Sequence, residues 1–402
     1  MVANGKRQAI ALLGATVGVE PKCRATPIRI LWAVAGLFAA VLAMPATALA
    51  DPVEHLVAVV ATKGSVHQPY GEEVLVGVTA AADRINADGG VLGAPVRLVV
   101  WNEDCTRERA AQIAEEITRL KPSVVIGHLC AGAALAAAPI YGKGGVLLIV
   151  PGVRHPALTK SGAIGGLLLR LAGRDDRFAV DAVRFIKQWH AGKSVAVIGD
   201  RTRQGRGLAD SMTAELRRQH VALALDVRIE SGEKSYDPLA ARLRESGAGV
   251  VVMPAQPIEL GVVARSLRRA GVEVPIIGSE IVAVPALVTT AERQGDRLVV
   301  MMPWTGLESG ESEGPEAGNG DNAREAVRRR AEASLEVWAA AAKRAGSTDT
   351  RSVAAAARAY ITPTTVGPLQ FDEAGDAMVP GYVASTWRKG EWRPRLDWRS
   401  PN

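Results

Sequence analysis

The chain has 402 residues, 48% of them apolar and 22% charged, which is more than one hydrophobic core organises and excludes a disordered polymer. Aromatic residues make up only 4%, too few for a surface that stacks on bases or sugars. Residues 1–50 hold five basic side chains and one acidic, so most of the formal +6 sits there, and the chain from Asp51 is near +2. A basic surface for nucleic acid is therefore not expected.

Lys22, Arg24 and Arg29 precede an apolar run over 30–44, followed by Ala48, Leu49 and Ala50. A charged start, a short apolar stretch and a small-residue cleavage site make a secretory signal peptide over 1–50, cut near Ala50. The run is shorter than the ~20 residues of a spanning helix. The plainer alternative is an uncleaved anchor. Cys23 falls inside this segment, leaving Cys105 and Cys130 as an even pair in an oxidising compartment, open to a disulfide or to two buried thiols.

From residue 55 onward strand and helix alternate. Residues 56–60 are a continuous β-branched apolar run, a strand buried on both faces. Over 71–86 the apolar positions Val74, Leu75, Val78, Ala81, Ala82 and Ile85 form a helical stripe, closed by Gly89 and Gly90. Strands follow at 96–100, 123–127 and 146–150, with helices at 106–120 and 131–141. A second run begins after Arg170: helices at 178–190, 205–220, 238–246 and 258–270, strands at 194–199, 222–229, 249–253 and 274–277. The stretch 307–322 is rich in Gly, Glu, Pro and Ser and reads as a loop, ahead of helices at 323–345 and 351–359 and a β-rich tail from 366. Such alternation buries parallel strands between helical layers, so the fold class is α/β with two doubly wound lobes.

Ligands of open parallel sheets bind where strand ends lead into helix N-termini, whose free N–H groups attract anions. The loops 61–71, 128–132 and 151–155 qualify in the first lobe, and 200–205, 255–257 and 279–282 in the second. Enzyme signatures are weak. Gly192, Lys193 and Ser194 end like a phosphate loop, but the upstream glycine is missing and a strand follows. His128 and Cys130 have no third metal ligand nearby in sequence. No nucleophile elbow or His-Glu-x-x-His helix occurs. No cofactor, no metal and no catalytic residue are expected.

Several segments resemble the leucine/isoleucine/valine-binding proteins: Tyr70 to Glu73, Ile85 to Gly90, Ile126 to Cys130, Ser231 to Asp237, Gly278 to Glu280 and Gly367 to Asp372. The resemblance runs through 55–390 in one order. It implies the type I periplasmic-binding fold, with 51–172 plus 304–370 as one lobe and 173–303 plus 371–402 as the other, joined by three crossings. It also implies a disulfide between Cys105 and Cys130. The ligand-binding residues it points to are Tyr70, Leu129, Cys130 through its backbone, Ala131, Gly152, Arg154, Gln204, Gln256 and Glu280. The family's carboxylate-binding serine is Ala131 here, its threonine is Arg154, and two tyrosines are Gln204 and Gln256. Tyr70 and Glu280 keep the family's cleft tyrosine and ammonium-binding acid. Arg154 offers a fork for an anionic group, or else is a solvated rim charge; Glu280 otherwise serves a helix N-terminus. The expected role is a monomeric periplasmic receptor delivering a small polar solute to ABC permease subunits in the inner membrane. A sensory receptor on the same fold is the alternative.

Overall fold

A computed structural model describes residues 53–160, 162, 164–280, 293–305, 319–388 and 391–395. The expected signal peptide over 1–50 lies outside the described residues, as does most of the loop expected at 307–322. Among the described residues no helix is long and apolar enough to cross a membrane.

The first lobe alternates β1 (His55–Thr62), α1 (Gln68–Ala87), β2 (Val96–Glu103), α2 (Arg107–Leu120), β3 (Val124–Gly127), α3 (Ala131–Gly144), β4 (Leu148–Val150), the one-turn α4 (Ala157–Lys160) and β5 (Leu168–Arg170). The second continues with α5 (Phe178–Trp189), β6 (Val195–Asp200), α6 (Arg203–Arg218), β7 (Leu223–Ile229), α7 (Asp237–Ser246), β8 (Val250–Met253), α8 (Pro257–Arg269), β9 (Ile276–Ser279) and β10 (Leu298–Pro303). Then come α9 (Asn319–Ala345), α10 (Thr350–Ala359), β11 (Tyr382–Arg388) and β12 (Glu391–Pro394). The first sheet is wholly parallel in the order β2-β1-β3-β4-β5. The second is ordered β12-β11-β10-β9-β8-β6-β7, parallel except for its β10-β11-β12 edge.

The strand run 56–60 lies on β1, an interior strand of its sheet, with Val57, Ala58, Val59 and Val60 fully buried and Val57 in register with Val124. Three departures from the sequence reading have simple causes. β5 was not expected, because three residues carry no period and its pairing with β4 alone defines it. α9 begins at Asn319, inside the stretch expected to be a loop, because polar first turns carry no apolar stripe. Helix α1 likewise starts at Gln68, so Glu72 and Glu73 lie in its second turn, with Gln68 donating to Glu72 at 2.9 Å.

One continuous core joins β1–β5 and their helices to α9, α10 and the segment through Phe371 and Ala377. Two further clusters cover the faces of the second sheet and include Tyr382 and Ala384. In each sheet the order reverses once. Strand β1 lies between β2 and β3, and β6 between β7 and β8, so the loops after β1, β3, β6 and β8 surround two topological switch points. The backbone closes tightly there. A Cβ on Gly71 would sit 2.2 Å from Thr62 O, and one on Gly205 would sit 2.0 Å from Asp200 Oδ1. Only glycine lets α1 and α6 start against the ends of β1 and β6.

Candidate functional site

At the first switch point Cys130 caps α3, Ala131 is its first residue, and Leu129 packs against the core. Cys105 and Cys130 form a disulfide with Cα atoms 5.4 Å apart, tying the end of β2 to the start of α3. Beneath it His128 Nδ1 lies 2.6 Å from Glu103 Oε2 and Nε2 lies 3.2 Å from Tyr141 Oη, with His128 and Glu103 sealed from solvent. Burial and Glu103 raise the Tyr141 hydroxyl's pKa, so it stays protonated. The imidazole is thus turned inward, away from Cys130. His67 is the group that lies near both sulfurs, the three ligand atoms falling within 4.8 Å of one another. With the cysteines bridged, neither sulfur is a thiolate able to hold a metal.

Tyr70 stands in the first turn of α1, half-buried against the core, its ring centroid 6.4 Å from that of His67. Gly152 follows β4, and a Cβ there would come within 3.0 Å of Leu129 Cδ2. Leu129, Cys130, Ala131 and Gly152 therefore form one patch, with the opening of α1 beside it.

At the second switch point one carboxylate organises the loops. Asp200 is fully buried; Oδ1 accepts from Thr202 N at 3.0 Å and Oδ2 from Gln256 N at 2.9 Å. Thr202 in turn caps α6, accepting from Gly205 N at 3.0 Å. Gln256 is half-buried at the N-cap of α8, while Gln204 is exposed on the first turn of α6. Asp200 thus links the two loops that carry the glutamines.

Arg154 and Glu280 meet where the chain crosses between the sheets. Arg154 Nε donates to Gly173 O at 2.9 Å and Nη2 to Gly381 O at 3.0 Å, and Trp304 N donates to Gly381 O at 3.1 Å. The guanidinium also lies 4.6 Å from the centroid of the Tyr382 ring, a cation–π contact. Tyr382 Oη donates to Glu280 Oε1 at 3.3 Å, while Glu280 Oε2 is buried with no hydrogen-bond partner among the described residues. Burial raises the Glu280 carboxyl's pKa, and the charge of Arg154 opposes that rise. Burial likewise pushes the Tyr382 hydroxyl up. Asp175 joins this group through its N–H to Arg154 O at 3.1 Å. The segment is held from behind by Asp181 of α5, whose Oδ2 accepts from Gly381 N at 2.9 Å and Tyr382 N at 3.0 Å.

Tyr382, Asp175 and Arg330 escaped the sequence reading. Tyr382 follows a featureless Pro380-Gly381 turn and carries no local signal. Arg330 did leave one: with Val327, Ser334, Val337 and Trp338 it sits at the i, i+3, i+4 spacing of the buried stripe of α9.

Two doubly wound sheets, with loop N–H groups, an arginine, a tyrosine and a buried acid at their strand ends and crossings, make the two-lobed architecture of a periplasmic binding protein. The family model for periplasmic binding proteins matches residues 56–391, and the chain belongs to that family. It is 30% identical over 352 residues to an amino acid binding protein of Pseudomonas aeruginosa, covering 86% of this chain and 93% of the relative. A Leu/Ile/Val-binding protein homolog of Brucella abortus is 28% identical, covering 80% of this chain and 87% of that one. An ABC transporter substrate-binding protein from Desulfitobacterium hafniense shares the fold, with a TM-score of 0.62 at 19% identity over 85% of this chain and all of that one.

Proposed function

We propose that the protein is an exported periplasmic receptor that captures an amino acid or a related carboxylate or amide and presents it to ABC permease subunits. The observation that carries this reading is Glu280. Its Oε2 is buried without a partner among the described residues, beside Tyr382 and Arg154, and an ammonium group would satisfy it. The names of the Pseudomonas and Brucella relatives support an amino acid as the solute.

In this reading the solute lies between the two switch points. The Ala131 N–H and the backbone of Leu129, Cys130 and Gly152 take its acceptor group, and Tyr70, Gln204 and Gln256 close around its remainder. Arg154 contributes positive charge, two of its donor nitrogens being engaged by Gly173 and Gly381. The lobes 51–172 with 304–370 and 173–303 with 371–402 move about the crossings. The last crossing is better supported between Ala377, in the first core, and Tyr382, in the second. Closure then follows from a solute that binds the closed state more tightly than the open one. The receptor acts as a monomer and performs no chemistry on the solute.

The test is a thermal-shift screen of ligand-stripped protein against amino acids, small carboxylates and amides, where a solute at a hundredfold its Kd adds ~2.7 kcal/mol. Glu280→Gln is expected to abolish the shift given by amino acids. A screen in which none of these solutes raises the melting temperature overturns the reading. A sensory receptor would instead bind its solute and be purified with a signalling partner rather than permease subunits.

A further inference from the structure

Among the described residues two arginines are nine-tenths buried, Arg170 and Arg330, and their surroundings differ sharply. Arg170 is neutralised. Its Nε donates to Asp376 Oδ1 at 2.8 Å, Nη2 to Thr159 Oγ1 at 2.6 Å and Nη1 to His155 O at 2.6 Å. Arg330 faces no carboxylate among the described residues. Its Nε donates to Pro151 O at 2.8 Å and its Nη1 to Thr305 O at 3.1 Å, and Arg154, of the same sign, acts on it. Burial and that neighbour hold its pKa down at about 10, a measure of how unwelcome the charge is where it stands. A guanidinium stays charged at neutral pH, so an uncompensated one in the interior is costly unless an anion comes to it.

The position of Arg330 indicates where that anion lies. Its two bonds hold the carbonyls of Pro151, one residue before Gly152, and Thr305, just past β10, so the guanidinium is clamped between the first-lobe loop and a crossing. Its remaining nitrogen, Nη2, makes no hydrogen bond to a described residue, and the residue keeps 8% of its surface exposed. Arg154, by contrast, interacts with the Glu280 carboxylate as well as two carbonyls.

Resting on the reading above, we infer that Arg330, through Nη2, is the anchor for a carboxylate of the solute. The shared chemistry is a carboxylate, carried either on the α-carbon of an amino acid or on its side chain. With Glu280 taking the ammonium group, the two ends of a zwitterion are held by residues from different lobes.

The test uses the mature protein and four probes: leucine, leucinamide, glutamate and glutamine, each titrated calorimetrically against wild type, R330Q and R330K. If the α-carboxylate is held, leucine loses about 10- to 100-fold in affinity in R330Q, the magnitude of a hydrogen bond to a charged group, while leucinamide is weak in both proteins. R330K, which keeps a point charge without the fork, recovers part of the loss. If the side-chain carboxylate is held, glutamate shows that dependence and glutamine does not. Equal losses for a carboxylate and its amide partner overturn the inference and make Arg330 a structural clamp. Should R330Q fail to fold, R330K and the carboxylate-to-amide ratio on wild type decide: a ratio near one overturns it. Wild-type protein that binds amino acids with no Arg330 dependence sinks this inference alone, whereas wild-type protein that binds none of the four sinks the amino-acid reading with it.

Discussion

The two switch points do the same job with different chemistry. In the first lobe the loop that opens α3 is fixed by the Cys105–Cys130 bond and rests on a sealed Glu103–His128–Tyr141 chain. In the second, the loops opening α6 and α8 are linked by Asp200, which accepts from Thr202 and Gln256 while Gln204 stays exposed. One half of the site is pre-organised by a covalent bond and a buried polar pair; the other is joined by hydrogen bonds within reach of solvent. Pre-organisation lowers the ordering cost of binding, so under the proposed function the first lobe would hold a solute before closure and the second would adapt to it.

The contrast can be broken most strongly at His128. His128→Ala leaves the Glu103 carboxylate sealed without a partner and is expected to lower unfolding free energy by about 3–5 kcal/mol. Urea unfolding measures it, and a loss below ~1 kcal/mol would show that the first lobe does not rest on this pair. Removing the bridge by Cys105→Ser with Cys130→Ser frees a 25-residue separation and is expected to cost ~3 kcal/mol. Hydrogen exchange should then rise at α3 and the end of β2 but not at α6 or α8; loosening of both lobes would erase the comparison.

Asp200→Asn keeps the shape and weakens the charge-assisted bonds from Thr202 and Gln256, for a smaller loss of about 1.5–3 kcal/mol. A loss larger than that of His128→Ala would reverse the ranking of the two lobes. The smallest effect is electrostatic. Burial raises the Glu280 carboxyl above its ordinary value, so between the two values the folded ligand-free protein binds more protons than the unfolded chain. Stability is therefore expected to fall as pH rises through that window, and Glu280→Gln is expected to flatten the slope by that one group's share. Asp181, raised for the same reason, keeps its own share in the variant. Superimposable pH profiles of the two proteins would place Glu280 in open solvent.

Much of the architecture was legible because it is written in local periods. The run at 56–60 became β1, the stripe from Val74 to Ile85 became α1, and the resemblance carried by Ile126 to Cys130 implied the disulfide that the structure contains. The candidate site was legible only in part. Gly152 and Leu129 do come together, and Gln204 and Gln256 share the loops around Asp200, as strand-end loops must at a switch point. Nothing local joined Arg154 to Gly173, Gly381 and Tyr382, because those partners lie 19 to 228 positions away.

What the sequence determined by itself was therefore the alternation of strands and helices, the pairing class of the sheets and the family, since hydrophobic period and motif order are properties of neighbouring residues. What only the tertiary structure decided was the state of each buried charge: that Arg170 meets Asp376 and that, among the described residues, Glu280 keeps one oxygen unpartnered and Arg330 meets two carbonyls and no acid. The reason is physical. A charge's cost and its role depend on which groups stand within a few ångströms of it in space, and the chain brings those groups together only when it folds.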